Sequence, residues 1–458
     1  MIEPRPARTL LACAAMLALS GPALAARLLP DGTSTDAWTL GNGLRVVVRN
    51  VQGADAVAIV VGYPAGRDQD PPGREGFTEL MAEVAFTAPA GDVPVRTRTD
   101  LDSQRPAGWN VQVERRRTEF AELATLQQFP GVLHQVAQRM AGVRVGDADV
   151  ERARTALIER RRETVGADLG VELYVAIGQH AAGWDHAAMR RWMSGEGLAG
   201  LGARDLAPRI AEAYVPARAV LSLAGDFEGI HLRAFIESEF GAIPGGTPRG
   251  DAMPAGVDSG GALLLPHPRV DPNLGGAGII APALSDTTHP SFYMTMLLIG
   301  MRANGAWNEP GRPSISRFQY SILDDPDVVR LYPPALGAGW RIEHMLLHMN
   351  GLVNAYDSSP ISLEQVQQVR TGVEWLLGGP LPRTLAAKVR TDRSVLYRLC
   401  SAAATRELWG GESFWTDYRA RFDPERSAGS DWAGYLRDPN HQFYLMYEPP
   451  PREGQGAP

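Results

Sequence analysis

The stretch that decides the fold is GYPAGRDQDPPGREGFTELMAE, residues 62–83. The apolar run from Ala56 to Tyr63 that leads into it is typical of a buried strand. Pro71-Pro72-Gly73 then breaks the chain, and apolar residues at helical spacing follow from Phe77 to about Thr87. The pattern therefore predicts a strand, a Gly/Pro loop and a helix in succession.

Further strands are predicted on both sides of this unit. Residues 38–50, WTLGNGLRVVVRN, have the pattern of a hairpin, because Asn42-Gly43 is a preferred two-residue turn between alternating apolar residues. A second strand pair is predicted near Trp109–Val113 and Glu119–Leu126, and a buried strand at Ala219–Ala224. Helical patterns fill most of the chain between the second pair and the last strand.

A linker divides the chain into two halves with similar patterns. Residues 241–261, GAIPGGTPRGDAMPAGVDSGG, contain seven Gly and three Pro and no apolar period. Beyond it, strands are predicted at 262–265 and 278–281, and a helix at 291–301. The segments VERART (150–155) and VQQVRT (366–371) share Val, Arg and Thr in register.

We therefore predict an α+β protein of two homologous domains, residues 30–240 and 262–450. Each is expected to have an antiparallel sheet packed against helices on one face. A Rossmann arrangement is the alternative, but no G-x-G-x-x-G follows a predicted strand, so it has no cofactor signature.

Composition limits the classes of partner. The 458 residues carry 45 Lys and Arg and 52 Asp and Glu, a net charge of -7. Nucleic acid and anionic membranes bind clustered positive charge, which this chain lacks, so neither is an expected partner. No segment after the N-terminal region is apolar enough to be a predicted membrane span.

The N-terminal residues 1–25 have the pattern of a signal peptide. Arg5 and Arg8 precede an apolar stretch, and Ala23-Leu24-Ala25 is a small-x-small cleavage site. The mature protein is therefore expected to be exported to the periplasm. Its single remaining cysteine, Cys400, lies in a helical pattern and is expected to be a buried apolar residue.

The segments around the predicted helix resemble a known family of enzymes. WTLGNGLRVV (38–47), GYPAGRD (62–68) and PPGREG (71–76) are similar to the stretches that precede the zinc motif of the pitrilysin/insulinase metallopeptidases. The resemblance implies an inverted motif, H-x-x-E-H, whose two His bind zinc and whose Glu polarises the metal-bound water, with a distant Glu as the third protein ligand. It also implies a clamshell of four such domains, of which this chain would be half.

The motif itself is degenerate. The chain has Glu79 and Glu83 at the two His positions and Ala82 at the position of the base. The resemblance implies that catalytic relatives bind zinc, whereas this chain is expected to bind no cofactor. A weak carboxylate site formed by Glu79, Glu83 and the distal Glu159 is conceivable. The favoured alternative is that Glu79 and Glu83 are a solvated pair on an amphipathic helix and Glu159 is a surface residue.

Three residues are candidates for substrate binding by the same resemblance. GWNVQV (108–113) is similar to the edge strand whose Asn holds the substrate backbone, which makes Asn110 a candidate for binding an extended peptide. A plain sheet or turn Asn is an equal alternative. Arg312 and Tyr320 are the nearest matches to an Arg and a Tyr that contact substrate in the second half of family members.

Three functions remain open at this point. The leading hypothesis is a catalytically inactive subunit that binds unfolded peptides and pairs with a zinc-dependent relative. The second is a peptide-binding scaffold that forms a homodimer. The third is an active zinc endopeptidase with a relocated metal site, for which His344 and His348 have i, i+4 spacing, although no base lies at the required position.

Overall fold

The structure is a computed structural model, and it describes residues 27–29, 31–105, 107–248, 261–270, 273–303, 317–332, 349–354, 362–422 and 432–449. The predicted signal peptide and residues 249–260 of the predicted linker lie outside these ranges. Within them, no helix is long and apolar enough to cross a membrane.

The strands form two sheets. The first has the order β1-β2-β3-β7-β4-β6-β5 and the second the order β8-β12-β9-β11-β10. The strands are β1 Arg27–Leu28, β2 Ser34–Thr39, β3 Arg45–Asn50, β4 Val57–Tyr63, β5 Trp109–Val113, β6 Thr118–Ala124, β7 Val220–Gly225, β8 Gly261–Pro266, β9 Leu274–Ile280, β10 Arg317–Ser321, β11 Asp325–Tyr332 and β12 Gln442–Glu448.

Helices occupy most of the remaining described chain. They are α1 Phe77–Thr87, α2 Arg98–Gln104, α3 Phe129–Ala141, α4 Asp147–Thr164, α5 Leu169–Ala181, α6 His186–Ser194, α7 Ala203–Ala213, α8 Leu232–Phe240, α9 His289–Ala303, α10 Leu363–Val373, α11 Arg383–Ala386, α12 Arg393–Leu408, α13 Gly411–Arg421 and α14 Ala433–Arg437.

The predicted duplication is visible in the strand order. In each sheet the last strand of the half is parallel to an earlier strand at the matching place in the order, β7 to β3 and β12 to β8. The other described pairings are antiparallel: β1–β2, β2–β3, β4–β7, β4–β6, β5–β6, β9–β12, β9–β11 and β10–β11. The α+β class is therefore confirmed, with one refinement: the sheets are mixed, because the last strand of each half runs parallel to β3 or β8.

The expectation of helices on only one face of each sheet is wrong. Helix α12, from the second half, covers one face of the first sheet, and helix α5, from the first half, covers one face of the second sheet. Every residue of the central strands β4 and β9 is buried, which requires cover on both faces. The two halves therefore complete each other's core.

Two glycines at matching places allow these helices to approach closely. A Cβ at Gly62 of β4 would lie 2.9 Å from Cδ1 of Leu408 in α12. A Cβ at Gly276 of β9 would lie 2.7 Å from Cδ1 of Ile177 in α5. Both strands thus present bare backbone to the helix of the other half.

Cys400 lies in this exchanged packing. It is fully buried on α12, and its Sγ donates to the Ser222 carbonyl at 3.1 Å. Burial raises the pKa of the thiol well above its ordinary value. The prediction of a buried cysteine is confirmed.

Buried ion pairs also join the halves. Arg115, in the turn between β5 and β6, donates to Asp325 at 3.1 Å and to Asp327 at 3.2 Å at the start of β11. Arg116 lies 2.9 Å from the same Asp327, and Arg117 donates to Asp324 at 2.6 Å. The two matching hairpins, β5–β6 and β10–β11, therefore meet at their turns.

Candidate functional site

The loop before α1 fixes where the motif helix begins. Asp70 accepts hydrogen bonds from the backbone N–H of Gly76 at 2.6 Å and of Thr78 at 2.8 Å. Gly76 has a φ of 92°, a left-handed conformation that glycine adopts without strain. Asp70 therefore satisfies the first free N–H groups of the helix, which α1 cannot bond internally.

Helix α1 is buried along its whole length. All eleven residues from Phe77 to Thr87 are buried, and the helix packs against α4, α7 and the edge strand β5. Glu79 and Glu83 are 8% and 1% exposed. The expectation that they form a solvated pair is wrong, because the helix has no solvent face.

Glu79 is held by two arginines and a tryptophan. Its Oε2 accepts from the Nε of Arg161 at 3.1 Å, from the Nη2 of the same residue, and from the indole of Trp192 at 3.0 Å. Its Oε1 accepts from Arg67 at 3.0 Å. Burial opposes ionisation, but the charges of Arg161 and Arg67 outweigh it and hold the pKa of Glu79 below its ordinary value.

Glu83 has its own pair of cations. Its Oε2 accepts from Arg98 at 2.6 Å and from Arg160 at 3.1 Å. The Arg98 guanidinium also lies 4.9 Å from the ring centre of Trp109 on β5. Burial is the largest effect on this carboxyl and raises the pKa of Glu83, although Arg98 opposes the shift.

The distal position predicted as a ligand does not reach this cluster. Glu159 is exposed, whereas Arg161, two residues later, is buried together with Val150, Ala153 and Leu157 on one face of α4. That face packs against α1. Helix periodicity therefore directs Arg161 toward Glu79 and Glu159 toward solvent.

These residues do not fit a zinc ion. A zinc site needs ligand lone pairs that are free to bind the metal, and here each carboxylate of α1 already accepts from guanidinium groups. The base position, Ala82, carries no titratable group. Among the residues that the structure describes, no three His, Cys, Asp or Glu lie together as a metal-binding group.

Strand β5 lies at the edge of the first sheet, beside α1. The bonds from Leu123 N to Gly108 O, 2.9 Å, and from Glu114 N to Arg117 O, 2.8 Å, show that even-numbered residues pair with β6. In an antiparallel pair the alternate residues turn their N–H and C=O away from the partner. Val111, at the centre of β5, therefore presents these groups at the sheet edge.

Asn110 is exposed on β5, but its side chain lies on the face opposite α1. Its amide donates to Gln112 at 3.4 Å, and the hydroxyl oxygen of Tyr397, on α12, lies 3.4 Å from the same Gln112 oxygen. Trp109 lies on the α1 face, where its ring stacks on Phe86. The β5 residue that Glu83 reaches, through Arg98, is therefore Trp109 and not Asn110.

Tyr320 lies between the halves. Its hydroxyl donates to the Pro326 carbonyl at 2.7 Å and lies 2.9 Å from Nε2 of His289. Together with Gln112 it lines a cavity of about 360 Å³. The other candidates, Arg312, His344 and His348, lie outside the described residues.

Comparison with known proteins gives structural matches only. No protein-family model matches the chain, and no curated protein matches it. A protease from Helicobacter pylori superposes with a TM-score of 0.70 at 12% identity, covering 91% of this chain and 100% of that one. An inactive domain of an M16 peptidase from Pseudomonas fluorescens superposes with a TM-score of 0.61 at 11% identity, covering 91% and 98%.

A longer protein shows how much of a clamshell this chain represents. The periplasmic protease PqqL from Escherichia coli matches with a TM-score of 0.58 at 14% identity, over 93% of this chain and 48% of that one. The chain has the fold of half an M16, or pitrilysin-type, peptidase. In this M16-type fold, helix α1 carries Glu79, Ala82 and Glu83, the residues that we align with the zinc motif.

Sequence reasoning missed the cations around this M16-type helix. Arg67, Arg98, Arg160 and Arg161 bind the two carboxylates, and none of them is among the candidate site residues that the sequence pattern indicates. For Arg161 a signal was present, because it continues the i, i+3, i+7, i+11 series of Val150, Ala153 and Leu157 on the buried face of α4. The other three are fixed by contacts between elements far apart in sequence.

Proposed function

We propose that this chain is a catalytically silent, peptide-binding subunit of an exported M16-type peptidase. It would enclose and orient unfolded peptides, and a zinc-dependent relative would cut them. The observation that carries the proposal is the pairing of Arg161 with Glu79, at the place where we align the catalytic metal.

Charge explains why this pairing supports a silent site. In the catalytic motif a dication is held by two neutral imidazoles and a carboxylate. Here two carboxylates are neutralised by guanidinium groups, and a zinc ion placed among them would be repelled by the charges of Arg161 and Arg67. Without zinc or a base, neither water activation nor general base catalysis is available.

Peptide binding is supported by the position of β5. An extended peptide can add to an edge strand through main-chain hydrogen bonds, which need no particular side chain. The outward N–H and C=O of Val111 provide such bonds, and α1 lies directly beside the strand. The arrangement suits capture of unfolded peptides of varied sequence.

The structural matches support a partner. The chain superposes on about half of PqqL, and one of its structural neighbours is an inactive domain of an M16 peptidase. A half clamshell leaves its inner wall open, and a second chain would close it. The signal-peptide pattern of residues 1–25 supports location in the periplasm.

Co-purification tests the subunit proposal. The chain, tagged at its C-terminus and expressed in its native host, should bring down a protein with an intact H-x-x-E-H, and the pair should elute together on sizing. A homodimer that brings down no such relative would favour the scaffold function. A monomer at micromolar concentration would contradict both forms of assembly.

Strand addition has its own test. Fluorescence anisotropy of a labelled unfolded peptide should show binding to the wild type and to Val111→Ala, which keeps the N–H. Val111→Pro removes the outward N–H at an edge position where proline is tolerated, and binding should fall by roughly tenfold. Equal binding by the two variants would exclude β5 as the binding strand.

A further inference from the structure

A cavity adjoins β5 on the face away from the motif helix. It has a volume of about 360 Å³ and is lined by both halves of the chain. Gln112 of β5 forms one wall, Gln319 and Tyr320 of β10 another, and Tyr397 and Arg398 of α12 a third. Its volume falls within the usual range for ligand pockets.

A peptide on the β5 edge would reach this cavity. Successive side chains of a strand point to opposite faces of the sheet, and neighbouring strands lie about 4.8 Å apart. Every second side chain of an added peptide would therefore share the face of Asn110 and Gln112, and Gln112 lines the cavity. The remaining side chains would share the face of α1.

The charged side chains around the cavity, with one exception, already pair with a side chain of opposite charge. Arg117 donates to Glu119 at 2.7 Å and to Asp324 at 2.6 Å. Glu119 also accepts from Tyr397 at 2.6 Å and from Ser401 at 2.5 Å, so its oxygens are occupied. These groups form a closed network that leaves little for a charged ligand.

Arg398 is the exception. It lines the cavity, it is exposed, and within the described ranges no carboxylate pairs with it. The neighbouring residues on α12, Tyr397 and Ser401, are both directed to Glu119. The cavity therefore offers one unmatched positive charge beside polar and aromatic walls.

We propose that this cavity is a side-chain pocket that selects an acidic residue of a peptide bound along β5, with Arg398 as the group that pairs with the carboxylate. This inference rests on the proposed function, because it requires peptide binding at the β5 edge. The pocket would make binding depend on the sequence of the peptide, which main-chain hydrogen bonds alone do not do.

The test uses a labelled unfolded peptide in which one position at a time is Glu, Gln or Lys. At alternate positions the wild type should bind the Glu peptide about fivefold more tightly than the Gln peptide, as expected for one partly exposed ion pair, and Lys should bind most weakly. Arg398→Ala should remove the difference, and Arg398→Glu should reverse it in favour of Lys.

Arg393→Ala is the matched control, since Arg393 is exposed at the start of the same helix and does not line the cavity. It should keep the Glu preference. The inference is overturned if the wild type binds Glu and Gln peptides equally, or if Arg393→Ala and Arg398→Ala have the same effect. If no peptide binds the wild type at all, the proposed function fails first.

Discussion

The Nε of Arg161 lies 3.1 Å from Oε2 of Glu79, across the contact between α4 and α1. Both side chains are buried, at 4% and 9% exposure. This ion pair joins α4 to the helix on which we align the zinc motif. The cation beside the motif helix is thus a side chain of the protein, which cannot dissociate as a bound metal ion can.

Zinc-dependent activity should be absent and hard to restore. The mature chain alone should hydrolyse no peptide in a zinc-stimulated manner. Glu79→His, Ala82→Glu and Glu83→His are all needed for the motif, and single changes should give nothing because ligands and base act as a unit. With Arg161 in place, even the triple variant should bind zinc poorly, since a guanidinium beside the site repels the dication.

Adding Arg161→Glu to the triple variant should raise zinc affinity by at least about tenfold, because it removes a cation and supplies an anionic ligand. Zinc titration by calorimetry and chelator-sensitive hydrolysis provide the measurements. Equal zinc affinity of the triple and quadruple variants would place the distal ligand elsewhere. Turnover by any single variant would show that the motif alignment is wrong.

Removing Glu79 should destabilise the fold. Glu79→Ala leaves Arg161 and Arg67 buried without their shared partner, and breaking a buried pair in this way costs about 3–5 kcal/mol. The free energy of unfolding from urea titration measures the loss. Glu163→Ala, an exposed residue of α4, is the control and should change stability by less than about 0.5 kcal/mol.

A second substitution should compensate for the first. In Glu79→Leu with Arg161→Leu both charges are gone, and much of the lost stability should return. If the double variant is as unstable as the sum of the single ones, the two residues are not coupled and the ion pair is not what holds α1 to α4.

The contact between the halves should respond to pH. Burial raises the pKa of Asp327 to about 6; Arg116 and Arg115 oppose the shift and Asp325 adds to it. The ordinary value is 3.8, so the folded chain binds this proton more tightly than the unfolded chain does. The contribution of Asp327 to the free energy of unfolding should therefore rise as pH falls through about 6 toward 4.

Asp327→Asn should remove this part of the pH dependence, measured as the unfolding midpoint at about pH 7.5, 6.5 and 5.5. Asp55→Asn, at an exposed position, should leave the profile unchanged. A wild-type profile that is flat over this interval, or one that falls with acidification and is unaffected by Asp327→Asn, would contradict the assignment.

Neither half should fold well alone. Val47, Val60 and Ala121 of the first sheet pack against α12, which comes from the second half. A fragment of residues 27–248 would expose this face, so it should bind a hydrophobic dye strongly and unfold without cooperativity. Adding a fragment of residues 261–449 should suppress dye binding. Cooperative unfolding of the first fragment alone would contradict the exchanged packing.

Most local elements, and the residues that align with the zinc motif, can be recognised from the sequence alone. The predicted hairpin is present, but its loop spans residues 41–43 rather than Asn42-Gly43 alone, and Gly43 supplies the left-handed conformation with a φ of 88°. Pro71-Pro72-Gly73 separates β4 from α1. The α+β class and the duplicated pattern follow from the linker and the repeat of strand and helix signals. Glu79, Ala82 and Glu83 can be read directly against the H-x-x-E-H pattern, since chemistry at a fixed spacing needs no fold to be recognised.

Only the tertiary structure decided what surrounds those residues. Whether Glu79 is solvated or buried depends on α4 and α6, which lie about 80 and 110 residues away and supply Arg161 and Trp192. The helices that cover the second face of each sheet, α5 and α12, also come from the other half of the chain. The sequence does not predict this packing, because an apolar helix face does not specify which sheet it will contact. The sequence therefore shows carboxylates at the positions aligned with the zinc motif, and the packing of distant helices surrounds them with arginine.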